Sequence, residues 1–285
     1  MRREFPDKYL IAEYDTSGDA TVISGDIDPY STFGFSATWD LPSPWQTYAF
    51  LRGDEKAVDE LLARIGDLNR SDPWRSVSYM TGAHDQIFGG MGRPGIYIAE
   101  RFGGRSNPFA RAKARLAWSL NAVLPETPMI FMGTEGHLEG RWDPAITDSD
   151  RRIDWAKMGD GLGAPMQRLV RDANKLRWQY KSLHSSKGSI IHVDRENSLV
   201  AFRRENGFGE VLLIVVHLGD SQFTESRYNL PIGDDPTPWR EIFNSQATDY
   251  GGDGQAGNAG AQIRPDDNQL PVQIPAWSLL IFVRG

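Results

Sequence analysis

The chain has 285 residues, 40% hydrophobic and 24% charged, with no cysteine; this suits one large α/β domain or two medium ones and excludes disulfides and thiolate metal sites. A formal charge of −7 argues against nucleic acid or an anionic membrane as partner, since both select clustered Lys and Arg. No apolar run is long enough for a membrane span, and the N-terminal one is too short for a signal-peptide core, so a soluble cytoplasmic protein is expected.

In chain order, "YLIAE" (9–13) reads as a buried strand and "FGFSATWD" (33–40) as a strand with one polar face. "DEKAVDELLARIGDL" (54–68) places Val58, Leu61, Leu62 and Ile65 on one helical stripe. "SVSYMTG" (76–82) is a further buried strand. "NPFARAKARLAWSLNAVLP" (107–125) opens on an Asn cap with Pro at the first helical position and stops at Pro125. "PMIFMG" (128–133) reads as a fourth strand, and 165–184 as a helix with Met166, Leu169, Val170, Ala173, Leu176, Tyr180 and Leu183 at helical spacing. Strands alternating with helices predict a parallel sheet.

Near residue 186 the pattern changes. "SIIHVDR", "SLVAFRREN", "EVLLIVVHLG", "REIFN", "LPVQIP" and "WSLLIFVRG" are strand-like runs joined by Gly, Asn and Asp turns. They predict an antiparallel β-sandwich over 187–285 that folds on its own core, after an α/β domain over 1–186.

In a parallel β/α barrel, reactive side chains sit where strands end. Glu13 ends the first run, His84 and Asp85 follow the third, and Glu135 follows the fourth. Two carboxylates and a His from different strand ends are the parts of glycoside chemistry: one carboxyl protonates the leaving oxygen while others steady an oxocarbenium-like transition state. Each residue alone fits a solvated turn equally well. The five histidines (His84, His137, His184, His192, His217) show no metal-binding spacing, so no metal and no cofactor are expected. The glycines of "HDQIFGGMGRPG" lack the phosphate-loop pattern.

The order of these stretches resembles the α-amylase superfamily, and within it the 1,4-α-glucan branching enzymes. "LIAEYDTSG" is similar to the family's strand-five segment, "SYMTGAHDQ" to strand seven, and "ARAKARLAWSLNAVLPETPMIFMGTE" to the passage from helix seven to strand eight. "GRWDP", "RRIDW" and "MQRLVRDANKLRWQY" follow in family order, and "PWREIFNSQATDYGGDGQAGN" with "WSLLIFVRG" is similar to its C-terminal sandwich. The resemblance implies the second half of a (β/α)8 barrel, strands five to eight, followed by a β-sandwich. It implies Glu13 as general acid/base beside an apolar wall, Asp85 as transition-state stabiliser and His84 on substrate hydroxyls, with Trp39, Gln86, Glu135, Arg141 and Trp142 as substrate contacts. Gln86 replaces the Glu of many bacterial members, and the Gly-Arg-Trp motif lacks its acidic neighbour. Barrel strands one to four and the nucleophilic Asp have no counterpart in the chain. The expected function is transfer of α-1,4-glucan segments to α-1,6 branch points by double displacement, the chain being a fragment or split part inactive alone. A non-catalytic α-glucan-binding protein and a hydrolytic amylase relative are the alternatives. Expected partners are an α-glucan and, through open sheet edges, a separate N-terminal half or a second copy, with inner-face residues such as Tyr79 and Phe131 meeting water.

Overall fold

The structure, a computed structural model, describes residues 7–14, 34–66, 68–69, 72–87, 96–140, 152–258 and 260–285. Its first region holds a parallel sheet of β1 (Ile11–Ala12), β2 (Ala37–Trp39), β3 (Ser76–Ser78) and β4 (Thr127–Pro128), paired in that order. The helices are α1 (Ser43–Phe50), α2 (Ala57–Ile65), α3 (His84–Ile87), α4 (Ile98–Arg101), α5 (Pro108–Val123), α6 (Trp155–Gly159) and α7 (Gly163–Gln179). Among the described residues no helix is long and apolar enough to cross a membrane.

The strands are shorter than their apolar runs, and side chains join the backbone at the ends of the ladder. Ser43 Oγ accepts the Tyr79 N–H (3.2 Å), and Asn121 Nδ2 donates to the carbonyls of Ser78 (3.2 Å) and Met129 (3.4 Å). The Met129 N–H still donates to the Ser78 carbonyl (2.8 Å), after which the run at 128–133 leaves the sheet and coils toward Gly133, correcting the longer strand that its apolar residues suggest. Helix α1 is not among the elements expected from the sequence, and it has prolines at 42 and 44, a residue type that would break a helix interior. Pro44 instead lies in the first turn, where no intrahelical donor is lost.

Helix α5 starts as its sequence dictates: Asn107 Oδ1 accepts the Phe109 (2.9 Å) and Ala110 (3.4 Å) N–H groups. Five of its residues are alanines that bring it close to its neighbours, and it is buried on nearly every side. Helix α7 buries Met166, Leu169 and Ala173 on one stripe. Arg64 of α2 is buried as well, 2.8 Å from Asp40 Oδ2 and 3.5 Å from Glu126 Oε1, and it donates to Ser78 Oγ (2.8 Å). This ion network ties α2 to the residues flanking the sheet.

The second region is antiparallel. β5 (Lys187–Asp194), β6 (Leu199–Glu205), β7 (Val211–His217), β9 (Trp239–Asn244), β10 (Gln262–Ile263) and β12 (Ser278–Arg284) form a six-stranded sheet of order β10-β9-β12-β7-β6-β5. β8 (Phe223–Pro231) and β11 (Gln269–Ile274) form a two-stranded sheet. The larger sheet is apolar on both faces. Leu199, Ala201, Leu213, Val215, Leu280 and Phe282 meet β8 and β11. Val200, Phe202, Leu212, Ile214, Val216, Leu279 and Ile281 share a core with Leu61, Leu116 and Met166 of the α/β region. Two-sided burial explains why "VLLIVV" is an unbroken apolar run. It also revises the expected self-contained sandwich, since half of its apolar side chains belong to a core that both regions build.

Candidate functional site

Because β1, β2 and β3 are parallel, their C-terminal ends open on one edge of the sheet. Glu13 follows β1, Trp39 closes β2, and the turn after β3 leads into His84 and Asp85. Gly82 makes that turn possible at φ +95°, a conformation glycine adopts without penalty. Gln86, expected on substrate, is buried with its Oε1 accepting the Ala83 N–H at 2.8 Å. It holds the turn that presents its two neighbours.

His84 is the hub. Its Nε2 lies 3.2 Å from Asp85 Oδ1 and 3.7 Å from Glu13 Oε1, and its ring stands edge-on to Trp39 at 5.9 Å. Trp39 in turn packs on Tyr79 at 5.1 Å. Tyr79 is only 2% exposed, which corrects its expected contact with water. The Glu13 side chain is 48% exposed and that of Asp85 60%. No apolar wall encloses Glu13 among the described residues. Water reaches all three groups, so a sugar could meet them directly.

Sequence spacing offered no metal set, yet folding brings one together: donor atoms of Glu13, His84 and Asp85 lie within 4.8 Å of one another. The trio could hold a cation, as could many exposed carboxylate pairs. Glu13 and Asp85 stand 72 positions apart in the chain, a juxtaposition that no dipeptide motif reveals.

Glu135 is not in this cluster. Its Oε2 accepts the N–H of Gly133 at 2.9 Å, folding it onto its own turn beside Tyr97, whose hydroxyl burial and nearby Glu135 and Glu100 push up to about 12. Arg141 and Trp142 lie outside the described residues. A groove of about 480 Å³, unsuspected from the sequence, lies at the other end of the sheet. Trp74, Trp118, Thr127, Pro128 and Trp178 line it, and none of the Glu13 cluster does. Dispersed tryptophans carry no sequence signal of such a groove.

Residues 190–285 match the family described as the α-amylase C-terminal all-beta domain. Along most of its length the chain is similar to 1,4-alpha-glucan branching enzymes. It is 28% identical to GlgB 1 of Xanthomonas campestris pv. campestris (strain 8004), over 99% of this chain and 38% of that protein. It is 26% identical to GlgB of Burkholderia thailandensis, over 87% of this chain and 30% of that protein. The chain thus spans well under half the length of these relatives. In structure it is similar to an Anoxybacillus α-amylase (TM-score 0.65, 16% identity, 100% of this chain, 54% of that one) and to Ttha1563 of Thermus thermophilus (TM-score 0.67, 16% identity, with the same shares). These likenesses establish an amylase-type fold with an all-β C-terminal region.

Proposed function

We propose, for a chain that is GlgB-like in sequence over a C-terminal part of those enzymes, that it contributes the acid/base side of an α-glucan-branching site. The observation that carries this reading is the convergence of Glu13, His84 and Asp85 at one sheet edge, with Trp39 beside them. In the proposed reaction Glu13 protonates the departing glucan oxygen and then takes the proton of an acceptor 6-hydroxyl. Asp85 balances the positive charge that develops on the sugar ring, and His84 holds ring hydroxyls. The attacking carboxylate comes from a polypeptide segment that completes the site. Among the described residues β1 pairs only with β2 and β4 only with β3. Those edges are where such a segment, or a second copy, would extend the sheet, the β1 edge lying beside Glu13.

A second reading has one observation in its favour. The Glu13 and Asp85 side chains are 48% and 60% exposed, so water can take the acceptor hydroxyl's place in resolving the intermediate, which would make the site hydrolytic. Titration calorimetry with maltoheptaose tests the shared premise: the wild-type chain should bind, and Asp85→Asn together with His84→Ala should weaken binding. An unchanged affinity in the double variant would remove the cluster from sugar contact. Iodine staining with debranching analysis then separates transfer from hydrolysis.

A further inference from the structure

Trp45 is 54% exposed, and unlike most exposed side chains it is braced. It sits in the first turn of α1, which starts four residues after β2 ends at Trp39. That places it at the same end of the sheet as Glu13, His84 and Asp85. Two hydrogen bonds pin this turn of helix: Ser43 Oγ takes the Tyr79 N–H (3.2 Å), and Thr47 Oγ1 donates to the Ser43 carbonyl (2.7 Å).

The indole and the Tyr48 ring meet at right angles, 5.7 Å between centroids at 89°. The buried Tyr48 ring is capped from beyond by the Arg101 guanidinium, 4.3 Å from its centroid. The Tyr48 hydroxyl packs so tightly on Gly82 that a Cβ there would approach it to 2.8 Å. Arg101 and Trp45 thus both pack on Tyr48, and Tyr48 abuts the turn that presents His84 and Asp85. An indole fixed in water at low conformational cost offers a flat apolar face with an N–H at its edge. Such a surface suits the apolar face of a glucose ring, whose hydroxyls remain solvated.

We infer that Trp45 is a stacking platform for a linear α-1,4-glucan flanking the Glu13, His84 and Asp85 cluster, with Tyr48 and Arg101 as its positioning residues. This rests on the α-glucan reading of that cluster. The probe is maltoheptaose, titrated calorimetrically into the full chain as wild type, Trp45→Ala, Trp45→Phe and Trp178→Ala. Trp178 is 78% exposed but lines the groove at the other end of the sheet, so its variant controls for loss of any surface indole. Trp45→Ala should weaken binding about tenfold, Trp45→Phe by less, and Trp178→Ala not at all. If Trp45→Ala proves unstable, Trp45→Phe, which keeps an aromatic ring against Tyr48, carries the test through its smaller loss. Wild-type affinity in both Trp45 variants would overturn the platform and leave the cluster's reading intact, pointing to a protein partner for this indole instead. Absence of maltoheptaose binding by the wild type would overturn the cluster's reading, and the platform with it.

Discussion

In the α/β region the parallel strands are two or three residues long and side chains finish their ladders, whereas β5 to β9 run six to nine residues in long antiparallel register. The first region is held by helices and by a buried ion network at Arg64, and it carries the polar groups that can do chemistry. The second is held by apolar side chains on both faces of one sheet, and it braces α5 and α2 from below. The difference teaches that a β-region beside a sheet of short parallel strands can be a structural wall whose inner face belongs to its neighbour. The clustered exposed polar residues Glu13, His84 and Asp85 sit where backbone pairing stops.

The largest effect should come from separating the regions. A polypeptide of residues 187–285 alone would expose Val200, Phe202, Leu212, Ile214, Val216, Leu279 and Ile281, now all buried. At about 1.5 to 3 kcal/mol per side chain, that loss rivals the whole stability of a typical domain, roughly 5 to 15 kcal/mol. Light scattering and far-UV circular dichroism should find it aggregated or poorly folded; a monodisperse, cooperatively melting fragment would break the shared-core account.

Next in size is Arg64→Met, which removes the cation from between the buried carboxylates of Asp40 and Glu126. Breaking such a network costs about 3 to 5 kcal/mol, to be read from urea unfolding of the full chain. Native-state hydrogen exchange sharpens the contrast: amides of α2 and β3 should lose protection in this variant before those of β7 and β12.

A smaller effect should appear with pH. His137 is buried, and burial together with Arg115, Arg111 and Arg105 holds its pKa well below the ordinary value. The unfolded chain binds a proton there near pH 6.5 and the folded chain does not. Stability is thus complete above that pH and falls as pH drops, by at most about 1.4 kcal/mol per unit for this group. His184, His192 and His217 are depressed as well, burial first among the causes, and add to the same slope. His137→Asn, tolerated at φ +51°, should flatten the slope by one proton's share. Smallest is Asn107→Ala, which removes the α5 cap and should cost about 1 kcal/mol in the same urea assay.

Helical stripes made α2 and α7 legible, the Asn107 cap followed by Pro108 made α5 legible, and the long antiparallel strands showed as apolar runs between Gly, Asn and Asp turns. The parallel strands were legible as places but not as lengths, since the side chains that join the ladder ends, Asn121 and Ser43, are remote in sequence. Strand-end logic brought Glu13, His84 and Asp85 into view. It could not show that Glu135 turns back on Gly133, that Gln86 is spent on the Ala83 amide, or that Trp45 stands braced beside the turn. The first two are side chains closing on an amide two or three residues away, and the third depends on Tyr48 packing against the distant Gly82; none of them leaves a periodic mark on the sequence.

The central claim is that Glu13 supplies the proton in a sugar-transfer site while the surrounding groups bind the glucan. It is tested most directly by Glu13→Gln, with branching turnover on amylose measured in the enzyme assembled with the segment that completes its site, and maltoheptaose affinity measured alongside. The account predicts a fall in turnover of about 10² to 10⁴-fold with affinity little changed. Turnover near that of the wild type would contradict it.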